Sequence, residues 1–162
     1  MILLFLLAQI TPVQPIVKGT GLPPAELQGG VSEETGVMVP INALFAGLAA
    51  RDPQAILATM RPDAGATVAE QKPDGTRSVR HMTAREFAAM VKPGPERYAE
   101  RITDPAIEID GDIAMVWAPY VFTIDGKPAH CGYDHFDLVR ENARWKIQSV
   151  TWSSRTTGCA AQ

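Results

Sequence analysis

The run IAMVWAPYVFTI over residues 113–124 is dense in β-branched and aromatic side chains and stops at Asp125-Gly126. That dipeptide suits a two-residue type I′ turn, whose central positions both need positive φ. A strand ending this way folds back on itself, so Asp112 to Trp152 is expected to form three consecutive antiparallel strands, with a second turn at Asn142-Ala143. Counting outward from the first turn sets Ile124 against Lys127, Val121 against His130, Trp117 against Asp134, Met115 against Phe136 and Ile113 against Leu138. From the second turn, Leu138 meets Ile147, Phe136 meets Ser149, Asp134 meets Thr151 and His130 meets Arg155.

One face then carries Ile113, Met115, Trp117, Phe136, Leu138, Trp145 and Ile147, and toward its other end His130, Asp134, Thr151 and Arg155. An apolar floor with polar groups at one end predicts a pocket with a functional mouth. The opposite face holds Val116, Ala118, Tyr120, Tyr133, Val150 and Trp152, which need cover. A second copy of the same sheet is the simplest cover, so a homodimer through the outer face is expected. A slip of one residue in either turn would exchange the faces of a whole strand.

Upstream, Val37, Ile41, Leu44, Phe45 and Leu48 recur at helical spacing, predicting a helix over roughly 35–50 with Pro40 in its first turn. Asp52-Pro53 supplies an N-cap and a proline at the first helical position, opening a short second helix through Ala55, Ile56 and Met60. Segments 66–71 and 76–82 flank Lys72-Pro73-Asp74-Gly75 and read as a short hairpin. Thr83-Ala84-Arg85-Glu86 is a capping box for a third helix, with Phe87, Met90 and Val91 facing the core until Pro93-Gly94-Pro95. Tyr98 to Ile109 reads as one strand leading into the long sheet.

With 162 residues, 46% of them hydrophobic and 20% charged, the chain suits one domain with one core. A net charge of -3 without any Lys/Arg run excludes nucleic acid as a partner, because phosphate recognition needs clustered cations. Residues 2–8 (ILLFLLA) are too short for a stable membrane span and match a signal-peptide core, although no Lys or Arg precedes them. The alternatives are an apolar N-terminal arm or a start codon further upstream. The expected organisation is a signal core over 1–8, a Pro/Gly-rich leader over 9–33, a folded domain over 34–155 and a tail over 156–162, in a periplasmic or secreted protein. In such a compartment Cys131 and Cys159 can form one disulfide, the alternative being two reduced thiols.

The order helix, helix, two short strands, helix, four long strands resembles the nuclear transport factor 2-like superfamily, especially its small lumazine-binding-like and polyketide-cyclase-like bacterial members. Asp52-Pro53, VRHMTAREFAAM, DGDIAMVW and HCGYDHFDLVRENARWKIQSVTW carry the likeness, which spans about residues 33–155. The resemblance implies a cone-shaped, cystatin-like α+β half-barrel: three N-terminal helices packed on a strongly bent antiparallel sheet, a pocket between them, and frequent dimerisation through the sheet's outer face. Members include isomerases, dehydratases, cyclases and epoxide hydrolases as well as proteins with no demonstrated activity, so the fold alone does not name a chemistry.

Asp134 and His130 are the candidate catalytic groups, and Trp117, His130, Asp134, Thr151 and His81 the candidate ligand contacts. His130 and Asp134 share one face but sit about 13 to 14 Å apart in a straight strand, so they bracket a ligand rather than bond each other. An Asp beside a Trp in a closed cavity would have a raised pKa and serve as general acid or base. The plainer alternative is an Asp bonded to Thr151 or Arg155 at the rim. His81 either overhangs the mouth or is a surface residue beside a helix cap, and His135, on the opposite face, reads as structural or as a dimer contact. Three histidines without ligand spacing predict no metal site, and without a nucleotide fingerprint or P-loop no cofactor is expected. Three functions follow: a binder of a small apolar molecule, a cofactor-independent lyase, isomerase or hydrolase using Asp134 with His130, His81 or Tyr120, or a structural homodimer.

Overall fold

The computed structural model describes residues 32–159, and the expected signal core and most of the leader lie outside them. Helix α1 (Glu33–Ala50) begins at Ser32, whose hydroxyl accepts the Thr35 N–H, with Glu33 and Glu34 in the positively polarised first turn. Because this cap lies so early, Pro40 falls inside the helix and not in its first turn as expected. Val37, Ile41, Leu44 and Leu48 form its buried stripe. The helix ends at Arg51 in the left-handed conformation, whose N–H reaches back to Gly47 and Leu48. Helix α2 (Pro53–Thr59) starts at the expected Asp52 cap, whose carboxylate accepts the N–H groups of Gln54 and Ala55. It stops one residue short of Met60, which opens β1.

Strands β1 (Met60–Gln71) and β2 (Arg77–Thr83) pair antiparallel, as the sequence predicts. Thr83 and Glu86 make the reciprocal capping box of α3 (Ala84–Ala89), which ends before Met90. Its expected core residues divide: Val91 is buried, Phe87 is half-buried and Met90 is exposed. The single strand expected over 98–109 is two, β3 (Tyr98–Ile102) and β4 (Ala106–Asp110), separated where Asp104 takes a positive φ before Pro105. Both pair with β5 (Ile113–Ile124), which continues into β6 (Lys127–Glu141) and β7 (Arg144–Arg155).

The sheet runs β2-β1-β7-β6-β5-β3, with β4 also on β5. It is curved and unclosed, the half-barrel expected, but not wholly antiparallel: β1 and β7 run parallel. α1 packs across its concave side, and the core joins α1 and α2 to Val116, Phe136, Leu138, Ile147 and Val150.

Both turns form as predicted. Asp125, Gly126, Asn142 and Ala143 all have positive φ, Ile124 faces Lys127, and Leu138 faces Ile147. Beyond them the register changes. The ladder skips Ala129 between Thr123↔Pro128 and Phe122↔His130, and skips Gln148 between Leu138↔Ile147 and Asp137↔Ser149. Each bulge inserts one unpaired residue and moves every later pair by one position. Asp134 therefore faces Ala118 and Trp152, not Trp117 and Thr151; Phe136 faces Val116 and Val150; and Arg155 faces Cys131. Val116, Ala118, Tyr120, Val150 and Trp152 turn inward, while Ile113, Met115, Trp117, Thr151 and Arg155 turn outward. Cys131 and Cys159 are joined in a disulfide whose Cα atoms lie 5.6 Å apart, tying the C-terminal segment to the outer face of β6.

Candidate functional site

A cavity of about 310 Å³ opens between the concave face and the helices. Leu44 and Leu48 of α1, Phe87 of α3 and Val91 close one side; Phe122, Phe136, Val150 and Trp152 of the sheet close the other. The aromatic rings pack edge to face, with Phe87 on Trp152 at 5.7 Å and Tyr98 on Phe122 at 5.2 Å between centroids. Such contacts hold the walls in shape without offering polar groups to a ligand. The polar groups are few: Glu100, Tyr120, His130 and Asp134 within, and Glu70, Arg80 and Ser154 on the side of β1, β2 and β7.

Their placement follows from strand alternation. Glu100, Phe122 and His130 lie in one cross-strand row, and Ala118, Asp134, Trp152, Val68 and Arg80 in another. Between His130 and Asp134 the inward position belongs to Gly132, where a Cβ would collide with the Ser153 carbonyl. Because that position has no side chain, Tyr120 reaches across: its hydroxyl donates to the Ser153 carbonyl at 3.1 Å and lies 2.9 Å from His130 Nδ1. With the hydroxyl proton so engaged, the bonding network assigns the His130 proton to Nδ1, donating to Tyr120 and leaving Nε2 as an acceptor. The ring also stacks on Phe122 at 4.7 Å.

Asp134 is 3% exposed, and no N–H or hydroxyl group among the described residues donates to its Oδ2; its hydrogen-bonding neighbour is the Glu100 carboxyl. Burial raises its carboxyl well above the usual range, and the neighbouring charge of Glu100 adds to the effect. Burial likewise pushes Glu100 up to about 7, a rise limited by its interaction with Asp134. Two carboxyl groups this close cannot both ionise readily, so near neutral pH the pair holds one proton. Burial also raises the Tyr120 hydroxyl and lowers His130, against the opposing charge of Glu70. Tyr120 therefore keeps its proton, which it gives to the Ser153 carbonyl, and His130 is a neutral imidazole.

Of the five expected ligand contacts, the structure brings His130 and Asp134 into the cavity and excludes Trp117, Thr151 and His81. Those three lie with Thr67 and His135 in one row across the outer face, following the pairings His81–Thr67–Thr151–His135–Trp117. His81 Nδ1 lies 3.0 Å from the Thr67 hydroxyl, and Trp117 is 46% exposed. The two bulges account for Trp117 and Thr151; His81 fails because it alternates with Met82, which takes the inward position of β2. His135 lies outward as expected, between Trp117 and Thr151.

Sequence reasoning missed Glu100 and placed Tyr120 on the wrong face. Glu100 had a signal: it shares the inward phase of Tyr98 and Ile102, whereas Ala99 and Arg101 face outward. An acidic residue in the apolar phase of a strand marks a buried carboxyl. Among the described residues no group of three His, Cys, Asp or Glu is placed to hold a metal ion, and no helix is long and apolar enough to cross a membrane.

Several solved structures share this architecture. A protein of unknown function from Mycobacterium tuberculosis is 19% identical, with a TM-score of 0.57 over 75% of this chain and 71% of that one. A nuclear transport factor 2-like protein from Cytophaga hutchinsonii is 12% identical, with a TM-score of 0.60 over 76% and 99%. One from Novosphingobium aromaticivorans, described as a "Putative Scytalone Dehydratase", is 12% identical, with a TM-score of 0.60 over 80% and 90%. At these identities the likeness establishes the nuclear transport factor 2-like fold alone. No curated protein matches the chain. Residues 32–153, which include the three helices and all of the bent sheet but the last two residues of β7, match the family described as "Putative lumazine-binding", and the chain belongs to that family.

Proposed function

We propose that this is an exported protein that binds a small, largely apolar molecule in the cavity between α1, α3 and the sheet. The observation that carries the reading is Asp134: a carboxyl 3% exposed, on the wall of an open cavity of about 310 Å³, whose Oδ2 receives no N–H or hydroxyl donor and whose neighbour is a second carboxyl, Glu100. A buried polar group is ordinarily satisfied, and one left unmet beside a void of ligand size is supplied by an occupant. The family's description points the same way. Export is supported by the apolar run over 2–8 and by the Cys131–Cys159 disulfide, a bond that persists in oxidising compartments.

The test is a thermal-shift and native mass spectrometry panel of one- and two-ring compounds on the full chain. A saturable rise in melting temperature with one-to-one stoichiometry, lost when Val150→Trp fills the cavity, is the expected result. A panel that leaves both the wild-type chain and the cavity-filled variant unmoved would retire the reading.

Acid–base catalysis is a second reading, favoured by one observation: the neutral His130 and the Glu100–Asp134 carboxyl pair line one chamber. It requires turnover that Asp134→Asn abolishes. The outer face, with Trp117 and Tyr133 exposed and stacked, supports a homodimer, checked by light scattering of wild type against Trp117→Glu.

A further inference from the structure

The cavity's negative charge has no counter-charge at the floor. Neither Glu100 nor Asp134 has a Lys, Arg or His nitrogen within 4.0 Å among the described residues; the ion pairs instead involve Arg51, Arg61, Arg97, His135 and Arg140. Arg80, the one cation on the cavity wall, is exposed and directs Nη2 toward the Met90 sulfur at 3.6 Å. The Tyr120 proton is used on Ser153, and α1 and α3 present only apolar side chains. What the floor offers an occupant is thus an acceptor edge with negative charge, framed by aromatic walls.

We propose that the Glu100–Asp134 pair is the anchor of the ligand site and selects a planar monocation with two N–H donors on one edge, of the amidine or aminopyrimidinium class. This rests on the cavity being a ligand site, as argued above. Two parallel N–H donors match two carboxyl oxygens in the geometry that makes such pairs strong, and the cation takes the place of the proton that Glu100 and Asp134 share. The remainder of the ligand is flat and apolar, and the volume admits one or two rings. An anionic ligand would meet a like charge and leave Asp134 unmet. A neutral ligand without N–H groups would offer the carboxyls no donor.

Three near-isosteric probes separate the cases: benzamidine, benzamide and benzoate, titrated calorimetrically into the full-length oxidised protein, with 1-anilinonaphthalene-8-sulfonate as a general cavity probe. Benzamidine should bind at least tenfold tighter than benzamide, with benzoate weakest. Asp134→Asn and Glu100→Gln should each weaken benzamidine about tenfold while changing benzamide by less than threefold, and Glu70→Gln at the mouth should change neither. Within the wild-type protein, benzamidine affinity should climb about tenfold from pH 5 to pH 8 as the pair sheds its proton. The other titratable groups facing the cavity are Glu70, Arg80, Tyr98, Tyr120 and His130. Glu70→Gln and His130→Gln should preserve the pH trend. Equal binding of the three probes, benzoate as the tightest, or benzamidine affinity indifferent to both carboxyl variants would overturn the selectivity while leaving the cavity reading intact. Failure of all four compounds to bind would overturn both.

Discussion

Tyr133, Asp134 and His135 are consecutive residues of β6 that meet opposite worlds. Outward, Tyr133 stacks on Trp117 at 5.3 Å, His135 tilts against Trp117 at 5.9 Å and lies 3.5 Å from the Asp137 carboxylate, and Tyr133 remains 42% exposed. Every polar group there has a neighbour or reaches water. Inward, Asp134 is shut away beside a second carboxyl, with no N–H or hydroxyl donor to its Oδ2. The outer row is satisfied alone and offers flat aromatic area, which suits another protein surface. The inner row is unsatisfied alone and offers a charge-bearing acceptor, which suits a small donor. Pleating alone separates the two sites.

The largest test of this contrast is truncation on each face. Phe136, 1% exposed and packed on Phe45 at 6.1 Å, anchors the inner face. Phe136→Ala should cost about 3 to 5 kcal/mol of unfolding free energy by urea titration. A loss below 1 kcal/mol would mean that the inner face is not the core. Next comes the bridge on the outer face. Breaking Cys131–Cys159, which closes a loop with a sequence separation of 28, should cost about 3 to 4 kcal/mol in the chain-entropy model. Cys159→Ala, compared by chemical denaturation with the oxidised chain, measures it, and intact mass with and without reductant verifies the bond.

The inner carboxyls should then reveal themselves through pH. Both have folded-state values raised above their unfolded values near 4, so between about pH 4 and pH 7 the folded state binds more protons than the unfolded one. Stability therefore falls as pH rises through that window. Glu100 alone, raised to about 7, contributes on the order of 3 kcal/mol to that fall, and Asp134 adds to it. His130 acts with the opposite sign. Its folded value is lowered, so acidification below about 6.5 costs stability. The double variant Glu100→Gln/Asp134→Asn isolates the histidine: its stability should drop on acidification, reversing the wild-type trend. An unchanged pH profile would show that the pair is solvated and the contrast between faces overstated.

How far the sequence discloses this arrangement depends on which side chains break a tie. In β6, Asp134, Phe136 and Leu138 against Tyr133, His135 and Asp137 identify the buried phase without help. In β5 they do not. Ile113, Met115 and Trp117 are as apolar as Val116, Ala118 and Tyr120, so only the register with β6 could decide, and the extra residue Ala129 defeats a count made from the turn. In β7 the evidence was present in the pattern itself: the buried phase runs through Trp145 and Ile147 and then through Val150 and Trp152, odd to even. Such a change of phase requires an inserted residue, and that residue is Gln148. Helix caps and turns were legible because each is decided by a few local groups, such as Asp52, Thr83 with Glu86, and Asp125-Gly126. The carboxyl pair was not, because Glu100 and Asp134 meet only after β3 and β6 have both been placed on β5.

The smallest expected effect is on the outer row, and it is the sharpest test of what that row is for. Trp117 contributes a half-exposed ring and one stacked partner, so Trp117→Glu should cost the isolated subunit only about 1 kcal/mol. If the row is a contact between two copies, the same substitution places a carboxylate in each half of a self-complementary interface. A wild-type dimer measured by light scattering should then become a monomer, with little loss in the urea midpoint at low protein concentration. Thr151→Glu, in the same row, should do likewise, whereas Glu100→Gln on the other face should leave the mass unchanged. A wild-type chain that is monomeric at every concentration would end the dimer reading and leave the aromatic pair Trp117–Tyr133 as solvent-facing sheet surface.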